Sequence, residues 1–189
     1  LPSTPPSTPP STPPSPPPTS PPPGVFENDE QLRTAVSEWC QNSEVAEVKY
    51  GHISNWVVDN IKSMKELFIN CEYFNEPLDR WNVSSVTDMS FMFYKTHNFN
   101  QPLNDWDVSS VTDMREMFWE ARDFNKPLNR WDVSSVTDMS YMFVIATTFN
   151  HSLNDWDVSR VTDMAYMFYL AEAFDQPLKN WNVSSVMDM

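Results

Sequence analysis

The chain has 189 residues, and 12 Lys and Arg against 26 Asp and Glu leave a formal net charge of −14. All of that charge lies beyond residue 24, so the body is strongly acidic, and a nucleic-acid partner gripped through its phosphates is excluded. Gly24 and Gly51 are the two glycines, too few for a phosphate-cradling loop or a dinucleotide fingerprint.

Residues 1–24 form the first segment, a Pro/Ser/Thr-rich stretch with 13 prolines in its first 23 positions and a recurring S-T-P-P beat. Proline lacks an amide donor and restricts the residue before it, so helix and sheet are out and an extended polyproline II rod is expected. Such a segment buries nothing and is expected to be disordered. It reads as a semi-rigid spacer, as an O-glycosylated stalk, or as a ligand for a proline-recognising domain.

Residues 25–48 read as an N-terminal cap helix. Asn28, Asp29, Glu30 and Gln31 make a capped start, and Leu32, Val36 and Trp39 follow at helical spacing. Cys40 falls in this helix and Cys71 in the repeat region beyond it, as either a disulfide pinning cap to stack or two small buried thiols. The two cysteines and three histidines match no zinc spacing, so neither a metal nor another cofactor is expected.

Residues 49–189 repeat. Phe74, Phe99, Phe124, Phe149 and Phe174 stand 25 apart and open copies of F-[ND]-x-P-L-x-x-W-[DN]-V-S-S-V-T-D-M-x-x-M-F-x-x-A. A worn copy precedes them at 49–73. The first residue is Leu and the last copy stops at Met189, so the chain reads as a fragment. No signal peptide and no apolar run of membrane-spanning length are visible, so no membrane insertion is expected.

Within one copy, Trp131–Val133 and Val136–Met139 suit two short strands around a Ser-Ser corner. Met139, Met142, Phe143 and Ala146 then stand at i, i+3, i+4 and i+7, which predicts a short helix started by Asp138. One such unit cannot offset its own ordering entropy, whereas stacked copies bury one another. The expected fold is an α/β solenoid of strand, corner, strand and short helix.

The unit at 99–123, FNQPLNDWDVSSVTDMREMFWEARD, resembles the BspA-type leucine-rich-repeat surface proteins, in the branch with 25-residue repeats long catalogued as a domain of unknown function. The resemblance implies a leucine-rich-repeat-like stack, with Leu103, Trp106 and Val108 on its strand. It also implies an extracellular or cell-surface location and adhesion to a partner without enzymatic activity.

Positions identical in every copy serve the stack, and variable ones are free for a ligand. The Asp row (Asp88, Asp113, Asp138, Asp163, Asp188) reads as helix capping or as a cation row. The Asn/Asp row (Asn82, Asp107, Asp132, Asp157, Asn182) reads as turn hydrogen bonding. The Thr row (Thr87, Thr112, Thr137, Thr162) suits strands or an ice-binding face. Arg80, Asp105, Arg130 and Asp155 alternate in sign and are expected to be stacked neighbours.

The helix face opposite the Met-Met-Phe-Ala stripe carries Phe91, Tyr94, Trp119, Tyr141, Tyr166 and Tyr169, a candidate aromatic band for a protein or glycan partner. N-glycosylation sequons occur at Asn82, Asn150 and Asn182. No residue set marks a catalytic centre, and non-enzymatic adhesion is the expected function. The alternatives are a structural display or wall spacer, and an ice-binding or cation-dependent adhesive protein.

Overall fold

Two short helices open the described part of the chain, residues 22–189 of a computed structural model. The spacer, stalk and proline-ligand readings fall on residues 1–21, outside the described residues. Helix α1 spans Asp29–Gln41, where the Asn28 side chain accepts from the Gln31 amide and Gln31 Oε1 accepts from the Glu27 amide at 3.0 Å. Helix α2 spans Ser43–Tyr50 with Asn42 as its N-cap, so the segment expected as one helix is two. A 3₁₀ turn over Ile53–Asn55 leads into the repeats.

Helix α1 buries Leu32, Ala35, Val36 and Trp39 against the first coil, whereas α2 buries only Ala46. Polar bonds fix α1 in place: Asp29 accepts from the Lys62 amide at 2.8 Å, and the Arg33 guanidinium donates to the Lys65 carbonyl at 2.5 Å. Cys40 and Cys71 are joined by a disulfide, with their Cα atoms 5.6 Å apart. Gly24, at φ +76°, lets the entering chain pass the cap, since a Cβ there would stand 2.6 Å from the Tyr50 carbonyl oxygen.

The coils depart from the expected α/β solenoid. Among the described residues there is no β-strand, and no helix lies within any full copy of the repeat. Coil meets coil through single parallel bridges, Ser63 to Asp88, Asp88 to Asp113, and so on up to Asp163 with Asp188. The leucine-rich-repeat-like strand implied for Leu103, Trp106 and Val108 is absent too. There the Trp106 amide bonds the Leu103 carbonyl and the Val111 amide the Val108 carbonyl, closing tight turns.

The hydrogen bonding explains why no helix forms. Met139, Tyr141, Phe143 and Ile145 each send their amide to the next coil, reaching Asp163, Ala165, Met167 and Tyr169. Alternating with them, the amides of Met142, Val144 and Ala146 bond back three positions within their own coil, and that of Ser140 bonds the Asp138 carboxylate. An α-helix would need all of these amides internally. The chain runs instead as consecutive turns, with Tyr141 at φ 59° and Ile145 at φ 56°. The same pair of left-handed positions recurs in the other copies, for example at Phe91 and Lys95 and at Glu116 and Glu120.

The core is a set of columns. Phe68, Phe93, Phe118, Phe143 and Phe168 stack at 5.4–5.6 Å between ring centroids. Phe74, Phe99, Phe124, Phe149 and Phe174 stack beside them at 5.9–6.0 Å. The two columns touch where one copy passes into the next, as at Phe93 and Phe99, with centroids 4.1–4.4 Å apart. Each repeat tryptophan lays its ring in this core and donates its indole N–H to the coil before. Trp106 reaches Leu78, Trp131 reaches Leu103 and Trp156 reaches Leu128, all at 2.8–3.0 Å.

Candidate interaction site

The turns expected as helices carry the variable residues outward, and the six band aromatics form one unbroken contact chain. Phe91 meets Tyr94 at 5.9 Å, Tyr94 meets Trp119 at 5.8 Å, and Trp119 meets Tyr141 at 5.5 Å. Tyr141 then stacks on Tyr166 at 5.3 Å, and Tyr166 meets Tyr169 edge to face at 5.8 Å. Tyr166 and Tyr169 are 58% and 55% exposed, while the other four are half-buried between their neighbours. The rings are set by consecutive turns rather than by a helix face.

Ring orientation decides what the band offers. Tyr141 and Tyr166 lie within 15° of parallel, and Trp119 is tilted only 34° from Tyr94 and 33° from Tyr141. From Tyr94 to Tyr166 the faces are turned toward one another, which leaves edges for a partner, while Phe91 and Tyr169 at the two ends stand tilted to their neighbours. Stacking a sugar needs an open face, so this geometry suits protein contacts better than a flat glycan platform.

Charges gather at the N-terminal half of the band. Glu120 accepts from Arg122 at 2.9 Å and from the Trp119 indole at 3.3 Å, with Lys95 at 3.9 Å and His97 Nε2 at 3.5 Å. Burial works to raise the Glu120 carboxyl, but the bonds from Arg122 and Trp119 and the nearby cations hold it below the usual range. Lys65 and Arg115 lie 6.0 and 5.9 Å from the Phe91 ring centre, and Lys95 lies 5.2 Å from that of Tyr94. Sequence reasoning missed the Glu120 hub because its members come from two coils.

The repeated polar rows are spent inside the stack. Asp88, Asp113, Asp138 and Asp163 each accept from the amide two residues on, so they close Asx turns rather than start the helices expected of them. Among the described residues no three His, Cys, Asp or Glu side chains cluster to hold a metal ion. Burial pushes the Asp113 carboxyl above the usual range. Arg115 pulls against that shift, and the stacked Asp138 and Asp88 add to it. Thr112, Thr137 and Thr162 each donate their hydroxyl to the previous coil's Thr carbonyl at 3.1 Å.

Asn82 and Asn182, two of the three sequon residues, use their side-chain oxygens to accept from Ser84 and Ser184 two positions on. The third, Asn150, accepts from the Asp175 amide and the Gln176 side chain of the next coil. In the alternating row, Arg130 pairs with Asp105, whereas Arg80 reaches back to Asn55 rather than to Asp105.

Cap helices and a column-built stack of 25-residue coils with a surface row of aromatics define a repeat protein. The chain belongs to the family described as "Mycoplasma protein of unknown function, DUF285", whose pattern matches residues 34–143 and 104–189. No curated protein and no solved structure matches it. No helix among the described residues is long and apolar enough to cross a membrane.

Proposed function

We propose that this chain is a non-enzymatic, surface-exposed or secreted repeat module that adheres to another macromolecule, with a protein surface as the partner. The observation that carries the reading is the unbroken chain of aromatic rings from Phe91 to Tyr169. Such side chains anchor interfaces because they bring large contact area at little entropic cost. The Cys40–Cys71 disulfide fits an oxidising, extracellular setting. The repeat motif's resemblance to BspA-type surface proteins points the same way, without their strand-based architecture.

The test is retention of the purified chain on intact cells and on their extracted surface proteins, against a Tyr166→Ser, Tyr169→Ser double variant. These two rings are the most exposed of the band, so the variant should keep its melting temperature and lose at least tenfold in retention. Equal retention by both chains would remove the band from the proposal. One observation favours a second reading, that of a structural spacer: each band ring covers the next, so the row also serves coil stacking.

A further inference from the structure

The Cys40–Cys71 disulfide stands in a groove of about 670 Å³, between the junction of α1 with α2 and the first coil, and both cysteines line it. The two halves of the bond are not equivalent: Cys40 is exposed, whereas Cys71 is half-buried and packs against the core. Three carboxylates, those of Glu44, Glu72 and Glu76, line the same groove, and among the described residues no Lys or Arg does. We infer that the bond is a site of thiol–disulfide exchange at Cys40, where a cationic or uncharged thiol becomes attached and an anionic thiol is turned away. It is a second, covalent mode of attachment at the cap, independent of the aromatic band.

The step exchanges one S–S bond for another. The thiolate of the incoming molecule attacks Cys40 Sγ and forms the new bond there. The electron pair of the old bond leaves with Cys71 Sγ, which takes a proton from water. The incoming sulfur is oxidised and that of Cys71 reduced, so no further oxidant or reductant enters. Access decides which sulfur is attacked, and it favours Cys40. Charge decides which thiols arrive, because the attacking form is itself an anion and meets three carboxylates on a molecule of net charge −14. An ammonium group beside the thiol offsets that repulsion, and a sulfonate adds to it. His97 and His52 stand 3.1 and 3.5 Å from Glu72 and Glu76, and as neutral imidazoles they leave the carboxylate charges in place. Asp29 on the Lys62 amide and Arg33 on the Lys65 carbonyl still hold α1 when the link opens, so Cys71 stays within reach and the attachment is reversible.

The experiment treats the full chain with cysteamine, mercaptoethanol and mercaptoethanesulfonate, small thiols that differ in charge, at a pH of about 8.5 where each is substantially ionised. Rates are taken per thiolate, relative to the same thiols on a small uncharged disulfide, and adducts trapped early by acid are mapped by peptide mass. Cysteamine should outrun mercaptoethanesulfonate by about tenfold or more at low salt, and the gap should close in about 1 M salt, where charges are screened beyond about 3 Å. The adduct should sit on Cys40 and the free thiol on Cys71. A full-length Glu44→Gln, Glu76→Gln double variant should speed mercaptoethanesulfonate several-fold more than mercaptoethanol. An equal gain for all the thiols in that variant would overturn the inference, since it would mean a loosened cap. So would equal relative rates on the native chain at low salt, or an adduct mainly on Cys71.

Discussion

Cap and coils are stabilised in opposite ways. The cap rests on contacts that occur once: the Cys40–Cys71 bond, Asp29 on the Lys62 amide, Arg33 on the Lys65 carbonyl, and the Phe26, Tyr50, Trp56 and Trp39 ring cluster. The coils rest on contacts that occur once per copy, so that each Phe, Trp, Asp and Thr has an equivalent 25 residues away. Losing a cap contact has no substitute. Losing a coil contact is shared with neighbours above and below, whose columns persist.

This contrast can be broken or sharpened by substitution. The largest loss is expected for Phe118→Ala, which empties a fully buried place between Phe93 and Phe143 and should cost about 3–5 kcal/mol in a denaturant titration. The equivalent change at Phe168, only half-buried near the last coil, should cost clearly less. Equal losses would mean that burial between neighbours above and below does not set what a column ring contributes. Next comes Cys40→Ser. It opens a link between residues 31 apart and should cost about 2–4 kcal/mol, and the same fall should appear when dithiothreitol is added to the native chain.

Trp106→Phe keeps the ring in its column and removes the indole bond to the Leu78 carbonyl, which retains the Trp81 amide, for about 0.5–1.5 kcal/mol. Asp105→Arg is smaller. It breaks the pair with Arg130 and puts three Arg in one row, about 0.2–1 kcal/mol, and the loss should shrink as salt is added. The smallest effect is a gain. Asp113 holds its proton more readily folded than unfolded, so its ionised form opposes folding at neutral pH, and the opposition fades as pH falls through the carboxylate range. Asp113→Asn should therefore melt slightly higher than the native chain at pH 7. The Asn oxygen still serves the Arg115 amide, and the difference should close on acidification.

The period, the identity of the buried columns and the neighbouring band positions could be read directly from the sequence, because a strict repeat puts like residue over like. Local backbone shape could not. Met139, Met142, Phe143 and Ala146 have a helix's apolar spacing, but consecutive three-residue turns produce the same spacing, and only the destination of the amides separates them. No residue type announced the left-handed positions, which are held by Tyr141 and by the β-branched Ile145 rather than by glycine. The strand expectation failed for a related reason: pairing shrinks to one bridge per junction, as turns occupy both sides of it. The band's members were visible in the sequence, but the turning of their faces toward one another was not. That orientation is what argues for a protein partner over a glycan.

The indole bonds have a consequence for how this molecule changes over generations. Each repeat tryptophan finds its acceptor 28 residues back, in the coil before its own. Insertion or loss of one residue between them would place a different carbonyl under the ring and misalign every later column. Insertion or loss of a whole unit leaves every such pairing intact. Length is thus a quantised trait here. Unequal recombination within the gene can lengthen or shorten the rod in whole steps, and the reach of the protein can be tuned without any part of it having to be refitted.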